Sequence, residues 1–156
     1  MMTRWIVSLD WLGLSTMSGL YTGGTFDLFH YGHMQFLKNC KRLSRRVIVS
    51  LNTDEFIEEY KGKKPFLSFE ERKKSILMSG CADEVIENSG GSDSKPAILS
   101  VKPDIIAIGD DWCKRDYYKQ MDFTQEWLDE REILLIYLPY TRDISTTDII
   151  KRVKNS

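Results

Sequence analysis

The segment Gly19-Leu-Tyr-Thr-Gly-Gly-Thr-Phe-Asp-Leu-Phe-His-Tyr-Gly-His33 decides how the rest of this 156-residue chain is read. Apolar Leu20 and Tyr21 run into Thr22-Gly23-Gly24-Thr25, a short buried strand ending in a glycine turn. From Gly32 the apolar period changes, with Met34, Phe36, Leu37, Cys40 and Leu43 at helical spacing. Strand, glycine turn and helix together aim free backbone N–H groups at an anion. Glycine also admits a phosphate close to the backbone, because no Cβ intervenes. The chain has two histidines, His30 and His33, and both stand where this helix begins. There they are placed to donate hydrogen bonds to oxygens of the same phosphate. A Gly-Gly turn alone is commonly only a turn. A His-x-x-His pair also occurs in metal sites, but no Cys or Asp/Glu cluster with ligand spacing accompanies this one. The stretch reads as a site for phosphate chemistry.

Working outward, Val47-Ile48-Val49-Ser50-Leu51 suits a strand buried on both faces of a parallel sheet. Asn52 to Phe56 open a short helical turn, and Tyr60-Lys61-Gly62-Lys63-Lys64-Pro65 follows as a basic loop. Such a lysine run is either a solvated cluster or an arm that closes over a triphosphate with compact ammonium charges. Ser68-Phe69-Glu70-Glu71 is a capping box for a helix through about Ser79. Arg72, Lys73 and Lys74 near its start oppose the anionic preference of a helix N-terminus. That charge points to an anionic partner or to a solvated face. Cys81 to Ile86 reads as a third strand, Asn88 to Asp93 as a flexible loop, Lys95 to Val101 as a helix and Ile105 to Gly109 as a fourth strand. Asp110-Asp111-Trp112 then stand at the carboxyl end of that strand, where open α/β sheets place ligands. Two carboxylates and an indole suit a base and ribose; the alternative is a solvent-facing turn. Phe123 to Glu130 reads as helical, and Ile133 to Leu138 as a fifth strand stopped by Pro139. Ser145-Thr146-Thr147-Asp148 caps a last helix through about Val153.

Strands alternating with helices predict an α/β fold: a single domain whose five-stranded parallel sheet carries helices on both faces. Right-handed crossovers bring the carboxyl ends of the strands to one edge. The glycine turn, the loop Gly109 to Trp112 and the segment Ile144 to Thr147 converge there. A formal net charge of −1 gives no support to a nucleic-acid-binding tail. No apolar run approaches membrane-spanning length. Cys40, Cys81 and Cys113 form no Cys-x-x-Cys pair and read as reduced thiols of a cytoplasmic protein. Residues 1–18 fit this plan least well. Asp10 interrupts their apolar run and Met17 is an alternative initiator, so they are expected to be an extension to a domain spanning 19–156.

The string Gly24-Thr25-Phe26-Asp27-Leu28-Phe29-His30-Tyr31-Gly32-His33 resembles the Gly-Thr-Phe-Asp and His-x-Gly-His motif of the cytidylyltransferase-like nucleotidyltransferases. The resemblance runs from about Leu20 to Lys151, through Lys61 to Lys64, Glu71-Arg72-Lys73, Asp83 to Ile86, Gly109 to Trp112 and Ile144 to Thr147. Within that family it is strongest to the glycerol-3-phosphate cytidylyltransferase group. It implies a Rossmann-like fold and transfer of CMP from CTP to a small phosphorylated acceptor, such as glycerol 3-phosphate or a similar polyol phosphate, with release of pyrophosphate. It also implies a homodimer, with Mg2+ accompanying the triphosphate and no protein metal ligands.

Carried over by residue, the resemblance makes His30, His33 and Lys61 catalytic, the histidines stabilising the α-phosphate transition state. It gives nucleotide-binding roles to Gly24, Thr25, Phe26, Lys63, Gly109, Asp110, Asp111, Trp112, Ile144, Ser145 and Thr146, and acceptor-binding roles to Asp27, Arg72, Tyr140 and Arg142. Two departures stand out. Relatives carry Arg-Thr-Glu-Gly-Ile-Ser-Thr where this chain has Tyr140-Thr141-Arg142-Asp143-Ile144-Ser145-Thr146. They also carry Arg-Tyr-Val where it has Gly80-Cys81-Ala82. Two arginines capable of bidentate phosphate contacts are thus absent, and extra residues such as Tyr117-Tyr118-Lys119 follow Trp112. The acceptor is the part of the reading these changes touch most. Competing readings are adenylyl transfer from ATP to a sugar or cofactor phosphate, and a nucleotide-binding module without turnover. A class I aminoacyl-tRNA synthetase fragment shares the His-x-Gly-His pattern, but the short chain lacks a tRNA-binding region.

Overall fold

Alternating side chains divide the interior into two layers, and a parallel sheet lies between them. The computed structural model describes residues 19–109 and 121–156. The expectations for residues 1–18, for Asp110, Asp111 and Trp112, and for Tyr117-Tyr118-Lys119 lie outside the described residues. Five strands, β1 (Leu20–Gly24), β2 (Val47–Leu51), β3 (Glu84–Glu87), β4 (Ile105–Gly109) and β5 (Leu134–Leu138), form one sheet in the order β3-β2-β1-β4-β5. All neighbouring pairs are parallel. Six described helices connect them: α1 (Tyr31–Leu43), α2 (Asp54–Lys61), α3 (Phe69–Met78), α4 (Lys95–Val101), α5 (Gln125–Asp129) and α6 (Thr146–Lys154).

Period-two patterning sorts the core. Leu20, Val47, Val49, Leu51, Ile105 and Ala107 pack with Leu37, Cys40 and Ile76. Tyr21, Ile106 and Ile108 pack with Ala97, Ile98, Phe123 and Leu128. β2 and β4 are buried along their whole length, as their continuous apolar runs require. Each fully buried large side chain stabilises the fold by roughly 1.5–3 kcal/mol relative to exposure. β5 is an edge strand, and Leu134 and Tyr137 on it are exposed.

The pairing registers open the site. β1 runs beside β2 for its full length, from Leu20↔Val47 to Gly24↔Leu51. It pairs with β4 only at Leu20↔Ile105 and Tyr21↔Ile106. Strand order reverses at this pair, and beyond it Thr22, Gly23 and Gly24 have no ladder partner on β4. That is the switch point where an open α/β sheet leaves a crevice.

Two element boundaries differ from the sequence expectation. The third strand starts at Glu84 rather than Cys81, because Asp83 ends the preceding turn: its backbone N–H donates to Val47 O at 2.9 Å and its carboxylate accepts from Val47 N at 2.7 Å. Lys61 closes α2 rather than lying in a loop. Gly62, left-handed at φ 72°, then caps the helix by donating to Glu58 O.

Candidate active site

At the start of α1 two histidines form a capping box. His30 is the N-cap in extended conformation, and its Nδ1 accepts from Gly32 N–H at 3.0 Å. His33 Nδ1 accepts from His30 N–H at 3.2 Å. Each Nδ1 is therefore unprotonated, and each neutral ring carries its hydrogen on Nε2. The rings stack with centroids 3.8 Å apart, and His33 lies between Phe26 and Phe29 at 5.3 and 5.5 Å. Burial, and secondarily the neighbouring His30, pushes the His33 pKa down to about 3. Burial lowers that of His30 as well. At neutral pH the pair is uncharged and offers two N–H donors. His30 Nε2 is buried and has no hydrogen-bond partner among the described residues.

Close approach dictates the small residues here. A Cβ on Gly32 would stand 2.9 Å from His30 Cε1 and 3.1 Å from Ile144 Cγ2, so any side chain would displace the ring. A Cβ on Gly24 would stand 2.9 Å from the Phe26 ring. Phe26 and Leu28 hold left-handed backbone at φ 50° and 49°, a conformation costing roughly 1–2 kcal/mol each. Such strain persists where surrounding bonds over-determine the loop.

Arg72 and Asp27 provide those bonds; Asp27 also lines the cavity, while the Arg72 side chain is occupied within the protein. Arg72 is fully buried. Its Nε donates to Leu67 O at 3.0 Å, one terminal nitrogen to Thr25 O and Asn52 O at 2.9 Å each, and the other to Asp54 at 2.5 Å. Of the three charges at that helix start, Arg72 is consumed inside the protein, whereas Lys74 is exposed. Asp27 accepts from the N–H groups of Leu28, Phe66 and Leu67 at 3.0, 2.8 and 2.9 Å. Its backbone O accepts from Thr146 Oγ1 at 2.9 Å. Both side chains brace the loop after β1 against residues 66–67.

A cavity of about 730 Å³ opens at the carboxyl ends of the strands. Of the residues singled out in the sequence, Gly24, Thr25, Phe26, Asp27, His33, Lys61, Lys63, Gly109, Tyr140 and Thr146 line it. His30 stacks on His33 rather than forming the wall. Ile144 packs near Gly32, while Ser145 caps α6, accepting from Asp148 N–H at 3.1 Å and donating to its carboxylate. Neither Ile144 nor Ser145 is part of the lining, nor is exposed Arg142. Among further wall residues, Asn52, Tyr60 and Asn88 had been assigned no site role, while Thr147 belongs to the converging segment Ile144 to Thr147. Asn52 and Asn88 each directly follow a strand, and that position at a carboxyl end was the available signal. Among the described residues, no group of three or more His, Cys, Asp or Glu is arranged to hold a metal ion.

Comparison with known proteins matches this geometry to a family. The profile of the cytidylyltransferase-like family matches residues 21–152. Glycerol-3-phosphate cytidylyltransferase of Bacillus spizizenii is 40% identical over 86% of this chain and 96% of that protein. FAD synthase of Pyrococcus abyssi is 33% identical over 84% of this chain and 88% of that protein. The crystal structure of a lipopolysaccharide core biosynthesis protein from Thermoplasma volcanium superposes with a TM-score of 0.63 at 27% identity, covering 80% of this chain and 97% of that one. With a five-stranded parallel Rossmann-like sheet, the histidine motif at its switch point and a family match over most of its length, the chain belongs to the cytidylyltransferase-like family and is a nucleotidyltransferase.

Proposed function

We propose that the protein transfers CMP from CTP to a small phosphorylated acceptor, glycerol 3-phosphate or a similar polyol phosphate, and releases pyrophosphate. The observation that carries this is the neutral histidine pair, both Nδ1 atoms engaged as acceptors, at the helix start beside the cavity. A phosphate oxygen of the acceptor attacks the α-phosphorus, charge builds on the α-phosphate oxygens, and the α-to-β bridging oxygen leaves with pyrophosphate. His30 and His33 donate from Nε2 to those oxygens, and the first N–H groups of α1 add their partial positive charge. Lys61, Lys63 and Lys64 on the cavity wall neutralise the β- and γ-phosphates. Gly24, Thr25 and Phe26 hold the triphosphate against β1. Thr146 faces it from the start of α6, and Gly109 with Asp110, Asp111 and Trp112 takes the nucleoside. Mg2+ enters with the triphosphate as part of the substrate. Positioning and charge stabilisation supply most of the acceleration, since no covalent step on the protein is required.

The match to glycerol-3-phosphate cytidylyltransferases over nearly the whole of their length supports CTP and a polyol phosphate. Similarity to FAD synthases supports a second reading, adenylyl transfer from ATP to a phosphorylated cofactor. Pyrophosphate release measured with CTP or ATP, each with glycerol 3-phosphate or FMN, separates them. Release with CTP and glycerol 3-phosphate is expected; release with ATP and FMN alone supports the second reading, and release with neither pair contradicts both. The same proposal includes a cytoplasmic homodimer, a catalytic domain of residues 19–156 and an extension of residues 1–18. Among the described residues no helix is long and apolar enough to cross a membrane.

A further inference from the structure

On the β2–β3 side of the cavity, one buried polar atom has no partner. Asn88 is 8% exposed, and its backbone N–H is fixed to Leu51 O at 2.9 Å. Its side-chain Nδ2 donates to Asn52 Oδ1 at 2.9 Å and to Gly91 O at 2.8 Å. Both partners accept, which settles the orientation of the amide and leaves Oδ1 as the free end. That oxygen is buried without a hydrogen-bond partner among the described residues, and the residue lines the cavity. A buried acceptor left unmet costs about 1–3 kcal/mol, so its natural complement is a donor brought by a ligand.

We propose that Asn88 is a specificity-determining residue that accepts a hydrogen bond from a neutral hydroxyl of the acceptor substrate. This inference rests on the nucleotidyl-transfer reading and names the chemistry of the second substrate. Strand order argues against the nucleoside as the donor. β3 lies two strands from β1 on the side away from β4, about 10 Å across the sheet. The nucleoside side of the switch point is marked by Gly109 at the end of β4, beyond β1. Asn88 therefore lines the cavity on the side of β1 away from the proposed nucleoside pocket, where the second substrate has room.

Charge favours a hydroxyl over an ammonium head. Asp27 is the one carboxylate on the described lining, and its oxygens already accept from three backbone N–H groups. Three lysines share that wall, and Glu55, Glu59 and Glu87 line a separate cleft that Asn88 also borders, so within the cavity itself an amine-bearing acceptor would meet positive charge. A neutral donor suits the amide oxygen. The chain of bonds from Asn88 through Asn52 to Thr25 and Tyr60 holds this wall to the loop after β1, at 2.9, 3.3 and 2.9 Å.

The test is the ratio of kcat/KM for CTP-dependent pyrophosphate release between glycerol 3-phosphate and propyl phosphate, with ethanolamine phosphate as a third acceptor. The wild-type protein should prefer glycerol 3-phosphate over propyl phosphate by roughly tenfold or more, and Asn88→Ala should bring that ratio close to one. A change confined to fold or stability would lower both rates and leave the ratio in place. A preserved ratio in Asn88→Ala overturns the assignment. So does a wild-type ratio near one, which needs no variant to fold, and so does faster transfer to ethanolamine phosphate than to glycerol 3-phosphate. A wild-type protein that transfers CMP to none of the three overturns the polyol-phosphate reading along with this one, whereas turnover without hydroxyl discrimination overturns this one alone.

Discussion

The histidine loop and the lysine segment line the same cavity but are built on opposite plans. In the loop between β1 and α1, the polar groups are tied: each histidine accepts at Nδ1, Asp27 accepts three N–H groups, and Arg72 holds Thr25 O. Between Gly62 and Pro65 the ties are sparse. Lys63 and Lys64 are exposed, and the carboxylate paired with Lys64 is Glu58 at 4.0 Å. The segment is fastened at its ends, by the Gly62 cap on α2 and by the bonds from Phe66 and Leu67 to Asp27. The contrast follows from the chemistry each region supplies. A hydrogen-bond donor to developing charge needs a fixed direction, whereas an ammonium acts as a point charge over a range of positions. Asp27 and Arg72 join the two regions.

The joint should be the most sensitive place in the molecule. Arg72→Leu removes a buried guanidinium, leaves Asp54 unpaired and deprives Leu67, Thr25 and Asn52 carbonyls of their donor. Denaturant unfolding should show a loss of about 3–5 kcal/mol. An unchanged midpoint would mean that the two regions are not held together there. Next in size, His33→Ala should lower kcat by roughly 10²–10³, while the lost cap costs the fold only about 1 kcal/mol. A rate close to wild type would remove the distinction between directed donors and mobile charge.

Smaller effects belong to the lysine segment. Lys63→Ala should reduce kcat/KM for CTP by about tenfold, the effect of one phosphate-directed charge, and Lys63→Arg should recover part of it. Trypsin cleavage between Lys61 and Lys64 should slow when CTP and Mg2+ are added. Cleavage that is indifferent to nucleotide would make these lysines a solvated cluster. The last expected change is in pH dependence and emerges only on acidification. His33 binds a proton near pH 3 when folded and near 6.5 when unfolded. As pH falls through that window the unfolded chain gains a proton that the folded one refuses, so stability declines and the slope ends near pH 3. His33→Gln should flatten the stability profile relative to wild type between those values; identical slopes would contradict the depressed pKa.

The sheet was legible because its signals are local. Val47 to Leu51 and Ile105 to Gly109 announce doubly covered strands, and Ser68 with Glu71 announces the start of α3. The histidine motif was legible for the same reason, since its residues lie within one strand, turn and helix. Arg72 was not. Its partners Thr25 and Asn52 lie 47 and 20 residues away, and pairing at that range leaves no periodic trace, so a buried brace looked like a basic helix start. The bonds from Phe66 and Leu67 to Asp27 were hidden likewise, because they span 39 and 40 residues. Asn88 sat in what read as a flexible loop, and only the bonds to Asn52 and Gly91 show its amide to be fixed.

The central claim is that His30 and His33 work as neutral donors, each with its hydrogen on Nε2. Because the chain has only these two histidines, proton and nitrogen NMR of the imidazoles reads the claim directly. Followed from pH 8 to pH 5.5 in the folded protein, the His33 ring should show no titration and His30 should show none centred at the ordinary value of 6.5. Both should give the Nε2–H pattern, and the Nε2 signals should move on adding CTP and Mg2+. A His33 ring that titrates near 6.5, or a hydrogen found on either Nδ1, would contradict the account.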